Sequence, residues 1–279
     1  MGTPVLHTVC KFWFGTCTLV CFILTWAGCM VLRYIVPGTL QQKEARVCTL
    51  CHYTFRYMIM LPCPWIRLKV PPAEEWRRIL GRDRVFVALN HTSFMDSVLF
   101  VACVPGDVLY RYRTLMKKEL LELPLLGGIS ACAGHFPVHF LTPREEEFSV
   151  DKMIMAGVME LVRAHVARGG CLSIFPEGRV NRSPDTLLPF RNSSLAIAAD
   201  EGMAVATMTQ LGNAACWPRA SAMGGVPCAI RVRLTEVAPH AHGLDAAALR
   251  DRAQAAMQKD LDAMNAEAAA AAKGAKAVK

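Results

Sequence analysis

The sequence predicts an α/β body set behind an N-terminal membrane-embedded helical segment, and two observations carry that prediction. Residues 12–32 are 21 consecutive residues without a charge. Beyond them, short apolar runs alternate with stretches of helical period, the pattern of a largely buried sheet flanked by helices.

As a helix, residues 12–32 span about 30 Å, the thickness of a hydrocarbon core. A signal peptide would have a shorter apolar core of about 7 to 15 residues and a small-x-small cleavage site, so an anchor is the better reading. Lys11 precedes the run, whereas Arg33, Lys43, Arg46 and Arg56 follow it, which places the body on the cytosolic side. Residues 53–70 mix Met58, Ile59, Leu61 and Trp65 with Arg56, Arg67 and Lys69 and are broken by Pro62 and Pro64. They read as an interfacial segment, so residues 1–70 form the anchor.

Pro71-Pro72 opens the body, which runs to residue 243. Within it, residues 85–89, 108–116, 171–175, 203–208 and 226–237 read as strands. Val150, Ile154, Val158, Leu161 and His165 share one helical face, which predicts a helix over 145–168 closed by Gly169-Gly170. In residues 244–279, Leu249, Ala253, Met257, Leu261 and Met264 mark a packing helix that decays into an Ala/Lys-rich frayed tail.

A formal net charge of +8 with 53% hydrophobic residues suits work beside anionic lipid or phosphate. Nucleic acid is not expected as a partner, because aromatic and basic residues do not alternate as a stacking surface. The twelve cysteines are scattered through apolar stretches and read as reduced, buried thiols. Cys48-Thr49-Leu50-Cys51-His52 spells a haem-attachment pattern and carries the alternative of a membrane-anchored haem protein. His, Cys and carboxylates show no metal-ligand spacing, so no metal is expected.

Two strings carry chemistry. Asn90-His91-Thr92-Ser93-Phe94-Met95-Asp96 follows the strand at 85–89. In a continuous helix His91 and Asp96 would point about 140° apart, so they meet only if the chain turns between them. Leaving the strand at Asn90 and entering a helix with Thr92 or Ser93 as N-cap supplies such a turn, with open backbone N–H groups suited to an oxyanion or phosphate. A capping aspartate beside a surface histidine would read the same way. In the second string, the strand at 171–175 runs into Pro176-Glu177-Gly178-Arg179, with Asn181 and Arg182 beyond. Strand ends are where α/β proteins place ligands, and guanidinium forks suit a phosphate.

With Asp96 and Glu177 81 positions apart, the two strings together resemble the glycerolipid acyltransferase superfamily, whose hallmark is His-x4-Asp followed by Phe-Pro-Glu-Gly. The likeness covers about residues 85–209 and is strongest to 1-acylglycerol-3-phosphate acyltransferases. The stretch from Arg113 through Lys117 and Lys118 to Leu120 resembles the region between their first two motifs. The resemblance implies a mixed sheet flanked by helices, and transfer of an acyl chain from acyl-CoA to the hydroxyl of lysophosphatidic acid. His91 would be the general base and Asp96 its orienting partner. Glu177, Gly178, Arg179 and Arg182, with Lys117 and Lys118, would serve the acceptor or coenzyme A. No cofactor is implied beyond acyl-CoA as co-substrate, and the expected setting is the endoplasmic reticulum membrane with the body facing the cytosol.

The chain departs from the family wording in places. Arg179 and Val180 stand where many relatives have threonine and arginine. Phe140 ends the string from Gly134 where an arginine is usual, with Arg144 as its substitute. Gly178-Arg179-Val180-Asn181 also resembles the wording of tafazzin-type transacylases, so a lysophospholipid acyltransferase or transacylase is the alternative.

Overall fold

The computed structural model describes residues 4–141 and 150–277. Helix α1 (Pro4–Met30) runs into a π-helical turn at Val31–Ile35. Its buried stripe is Cys10, Phe14, Gly15, Thr18, Cys21, Thr25 and Cys29, mostly small or polar. Large apolar side chains such as Phe12, Val9 and Leu19 point outward. This polarity is the reverse of a water-facing helix and fits an outer face that meets lipid. Helix and turn together are long and apolar enough to cross a membrane. Helix α2 (Leu40–Thr54) starts at a capping box made by Thr39 and Gln42 and returns along α1. Thr25 donates to Thr54 across the pair at 2.8 Å.

After a second π turn at Phe55–Met60, Pro62 and Pro64 prevent the helix from continuing. Residues 66–69 are therefore free to extend as strand β1 (Ile66–Lys69), which pairs with the sheet. This corrects the expectation of an interfacial segment up to residue 70. Next come α3 (Ala73–Leu80), β2 (Val85–Leu89), α4 (Met95–Cys103), α5 (Gly106–Leu109), β3 (Tyr112–Arg113) and β4 (Leu115–Lys117). They are followed by α6 (Lys118–Leu121), α7 (Leu126–Cys132), β5 (Phe136–Val138), α8 (Lys152–Ala167), β6 (Cys171–Ile174) and α9 (Asn192–Asp200). The chain closes with β7 (Ala204–Leu211), α10 (Asn213–Cys216), β8 (Cys228–Ala238) and α11 (Ala246–Ala277).

Six strands form one mixed sheet in the order β1-β8-β7-β2-β6-β3, parallel throughout except where β7 meets β8. β4 and β5 form a separate parallel pair. Every residue of β2 is buried, as expected of a strand covered on both faces. Val85, Val87 and Leu89 face a layer that includes α3, α4 and the α1 hairpin. Phe86 and Ala88 face α8, α9 and α11.

Three expected elements differ. The strand at 108–116 is a short helix, α5, set by Pro105, and then two short strands that join different sheets. The helix expected from 145 starts at Lys152, where Asp151 caps it by accepting from the N–H groups of Met153 and Ile154; residues 142–149 lie outside the described residues. Its buried stripe is Val158, Val162 and Val166, one turn apart, and Leu161 is exposed. The frayed tail is instead helical to Ala277, in keeping with its alanine content. All five marker residues of α11 are fully buried, and Leu249, Ala253 and Met257 belong to the core layer with Phe86 and Ala88.

The hairpin and body are tied by an ion pair. The buried Arg113 guanidinium donates to Glu44 of α2 at 3.3 Å and to the carbonyls of Tyr110 and Tyr112.

Candidate active site

The carboxyl ends of β7, β2 and β6, neighbours in the sheet, deliver the key side chains to one edge. β2 releases the chain at Asn90, whose side chain donates to the Gln210 carbonyl (2.8 Å) and accepts from the Gln210 N–H (2.7 Å). This pair of hydrogen bonds fixes the end of β2 against β7. The chain then turns, and the His91 Nδ1 lies 2.9 Å from Asp96 Oδ2 in the first turn of α4. Asp96 is fully buried and the His91 side chain is 20% exposed. An ionised carboxylate only accepts, so Nδ1 carries the ring proton and Nε2 keeps its lone pair. Phe175 stacks on the imidazole with centroids 4.1 Å apart. A ring so oriented can take a proton from a hydroxyl.

The turn itself is not an open anion nest. Oδ2 of Asp96 also accepts from the N–H groups of Thr92 (2.6 Å) and Ser93 (3.0 Å), and the His91 N–H goes to Glu177 Oε1 (2.9 Å). A buried carboxylate requires donors, and it has taken the ones expected to meet an oxyanion. Neither Thr92 nor Ser93 is the N-cap: α4 is preceded by Phe94, although the Ser93 hydroxyl accepts from the Met95 N–H.

The second string is joined to the first through backbone. Glu177 is 2% exposed, and its Oε2 accepts from the Leu188 N–H at 3.0 Å. Burial pushes its carboxyl up to about 7, against the pull of its two N–H donors. Asn181 donates its N–H to the His91 carbonyl (2.6 Å) and holds its own loop by bonds to Thr186 and Ser183. His91 is thus gripped at both its N–H and its carbonyl by the segment after β6. Glu177, expected to shape the acceptor site, sits beneath the histidine.

Gly178 has φ +72°, and a Cβ there would lie 2.5 Å from Arg191 Nε. The missing side chain lets Arg191 pack over the turn beside Arg179. Burial and then the nearby Arg179 charge hold the Arg191 guanidinium below its usual value. Arg219 donates to the Val180 carbonyl in the same loop (3.1 Å). Arg182 is exposed. Lys117 lies over the Phe140 ring at 5.6 Å and Lys118 pairs with Glu122 at 3.6 Å, both on the β4–α6 side. Arg144 lies outside the described residues.

The haem-like string faces inward. Cys48 and Cys51 are buried in a cluster with Cys29, Ile129 and Cys132, and His52 is buried with its Nδ1 3.1 Å from the Val101 carbonyl. Its ring also packs on Gly106. These contacts give all three residues packing roles. All twelve cysteines are unpaired thiols, ten of them buried.

Sequence reasoning missed Asn90, Phe175, Asn181 and Asn213. Asn213 follows Gly212 at the end of β7, and its Nδ2 donates to Asp96 Oδ1. Asn90 opens the first string and Asn181 lies within the second, so proximity to the motifs was the available signal for them. No such signal marked Asn213, which is 117 positions from Asp96.

Comparison with known proteins shows the family and the fold. A 1-acyl-sn-glycerol-3-phosphate acyltransferase of Cocos nucifera is 27% identical over 183 residues, covering 59% of this chain and 54% of that protein. The chloroplastic 1-acyl-sn-glycerol-3-phosphate acyltransferase BAT2 of Brassica napus is 29% identical over 133 residues, covering 47% of this chain and 34% of that one. The chain therefore spans about half the length, or less, of these relatives. The crystal structure of the 1-acyl-sn-glycerophosphate (LPA) acyltransferase PlsC from Thermotoga maritima shares the fold, with a TM-score of 0.70 over 94% of this chain and 97% of that one at 17% identity. The acyltransferase family model matches residues 67–210, just over half of the chain and inclusive of both strings; the chain belongs to the acyltransferase family.

Proposed function

We propose that this chain is a membrane-bound enzyme that transfers an acyl chain from acyl-CoA to the free hydroxyl of 1-acylglycerol-3-phosphate, giving phosphatidic acid. The carrying observation is His91 Nδ1 held 2.9 Å from a fully buried Asp96, with Nε2 left as the base. His91 takes the proton of the glycerol hydroxyl as that oxygen attacks the thioester carbonyl. The carbon–sulfur bond breaks, the thiolate leaves, and His91 returns the proton to it, so the products are an ester and free coenzyme A. Asp96 stabilises the transient imidazolium. The reaction requires no further cofactor.

Arg179 and Arg191 supply the acceptor preference. Two guanidiniums crowded at Gly178 repel each other, and a phosphate monoester between or beside them offsets that repulsion. The apolar outer face of α1 would hold the site at the bilayer, and the flanking charge would put the body on the cytosolic side.

The test is acyl transfer by the purified chain from radiolabelled acyl-CoA to lysophosphatidate and to lysophosphatidylcholine. Lysophosphatidate should be the preferred acceptor, and His91→Ala should abolish product. Normal turnover by the alanine variant refutes the mechanism, and equal use of both acceptors refutes the phosphate preference.

A further inference from the structure

We propose that Asn213 is a positioning residue for the His91–Asp96 pair: it holds the Asp96 carboxylate in alignment through the oxygen that His91 does not use. This inference rests on the acyl-transfer reading above.

The Asp96 carboxylate divides its bonds unevenly. Oδ2 accepts from His91 Nδ1, the Thr92 N–H and the Ser93 N–H, all from its own turn. Oδ1 accepts from the Asn213 amide, which comes from the other side of β2 in the sheet order. Four donors in all reach the carboxylate, three at Oδ2 and one at Oδ1. Without Asn213, Oδ1 would be a buried anionic oxygen with no donor among the described residues.

The choice of asparagine carries a cost beside the bond it gives Asp96. Asn213 is fully buried, and its own Oδ1 finds no hydrogen-bond partner among the described residues. An unpartnered buried amide oxygen disfavours folding, and an apolar side chain of similar size would avoid it. What asparagine provides is a neutral donor aimed at Asp96. Its placement is also firm: Gly212 turns the chain at φ +98°, and at the end of α10 the Trp217 carbonyl accepts from the Ser93 hydroxyl at 2.7 Å. The segment thus meets the histidine turn at two points.

The consequence appears when His91 becomes an imidazolium. A donor on Oδ1 lowers the basicity of Asp96, so the proton stays on the ring and the ion pair keeps its alignment. Glu177 also faces the pair, from the end of β6, with Arg179 and Arg191 beyond it. Those groups are common to wild type and variants, so differences between pH profiles report Asn213.

The experiment compares Asn213→Ala and Asn213→Asp in the full chain. For Asn213→Ala, kcat should fall about ten- to a hundredfold, with little change in either KM. The acid limb of kcat/KM should move to higher pH, because a more basic Asp96 holds the imidazolium more tightly. The His91 imidazole followed by NMR should titrate at higher pH in the same variant. In Asn213→Asp, two adjacent carboxyls share a proton. The protonated dyad donates as the amide did, so activity should persist on the acid side and fall as pH rises, giving a new limb absent from wild type.

Wild-type kcat and pH profiles in both variants would overturn the proposal. So would equal losses of kcat with no movement of the His91 titration or limbs, which would mark a purely structural role. If Asn213→Ala does not fold, the nearly isosteric Asn213→Asp carries the test. If wild type itself does not acylate lysophosphatidate, the acyl-transfer reading fails, and the NMR titration still decides whether Asn213 controls the pair.

Discussion

Replacing Glu177 with glutamine should change stability in a pH-dependent way. In wild type the buried carboxylate accepts from the His91 N–H with one oxygen and from the Leu188 N–H with the other, at 2.9 and 3.0 Å. Burial raises its pKa from 4.5 to about 7. A carboxyl raised on folding binds its proton more tightly in the folded chain. Its contribution is therefore full below about pH 4.5 and is lost as pH rises through 7. At 1.36 kcal/mol per unit, that loss is about 3 kcal/mol. Glutamine does not titrate, but it offers one acceptor and turns an amide N–H toward a backbone N–H, at a cost of about 1–3 kcal/mol. Wild type should thus be more stable than Glu177→Gln near pH 5, and the gap should close or reverse by pH 8. Denaturant unfolding followed by tryptophan fluorescence at several pH values measures this. A gap independent of pH would refute the buried-charge account of Glu177.

Three further outcomes are expected. Asp96→Asn should reduce kcat on the order of a thousandfold or more with the fold retained, because an amide no longer selects the Nδ1–H tautomer; kinetics with a thermal melt check it. Arg113→Met should destabilise the chain by about 3 kcal/mol, because it leaves Glu44 at the hairpin–body junction without its partner, and unfolding midpoints measure the loss. Gly178→Ala should raise KM for lysophosphatidate more than it lowers kcat, because its Cβ displaces Arg191 while leaving the His91–Asp96 contact in place.

Much of this protein is legible along the chain. The uncharged run at 12–32, the fully apolar residues of β2 and the helical spacing in α11 are local patterns, and in β2 and α11 burial follows directly from them. The His91–Asp96 and Glu177 strings announce themselves because a turn at a strand end requires particular residues close in sequence. What failed were boundaries decided by partners. Residues 66–69 alternate apolar and basic over only four positions, Ile66, Arg67, Leu68 and Lys69, too short a run to mark a strand alone, and they extend because β8 offers a parallel edge. Likewise, residues 108–116 divide among three elements because two different sheets claim Tyr112–Arg113 and Leu115–Lys117.

The same division runs through the site. The sequence alone pointed to His91 as the candidate base and to Asp96 as the carboxylate that can face it, because both belong to one short turn. Only the tertiary structure decided that Thr92 and Ser93 spend their N–H groups on Asp96, that Glu177 supports His91 from below, and that Asn213 completes the carboxylate. The reason is physical: a fully buried charge must collect donors from whatever segments pack around it, and adjacency in a parallel sheet brings together strand ends that lie far apart in the chain.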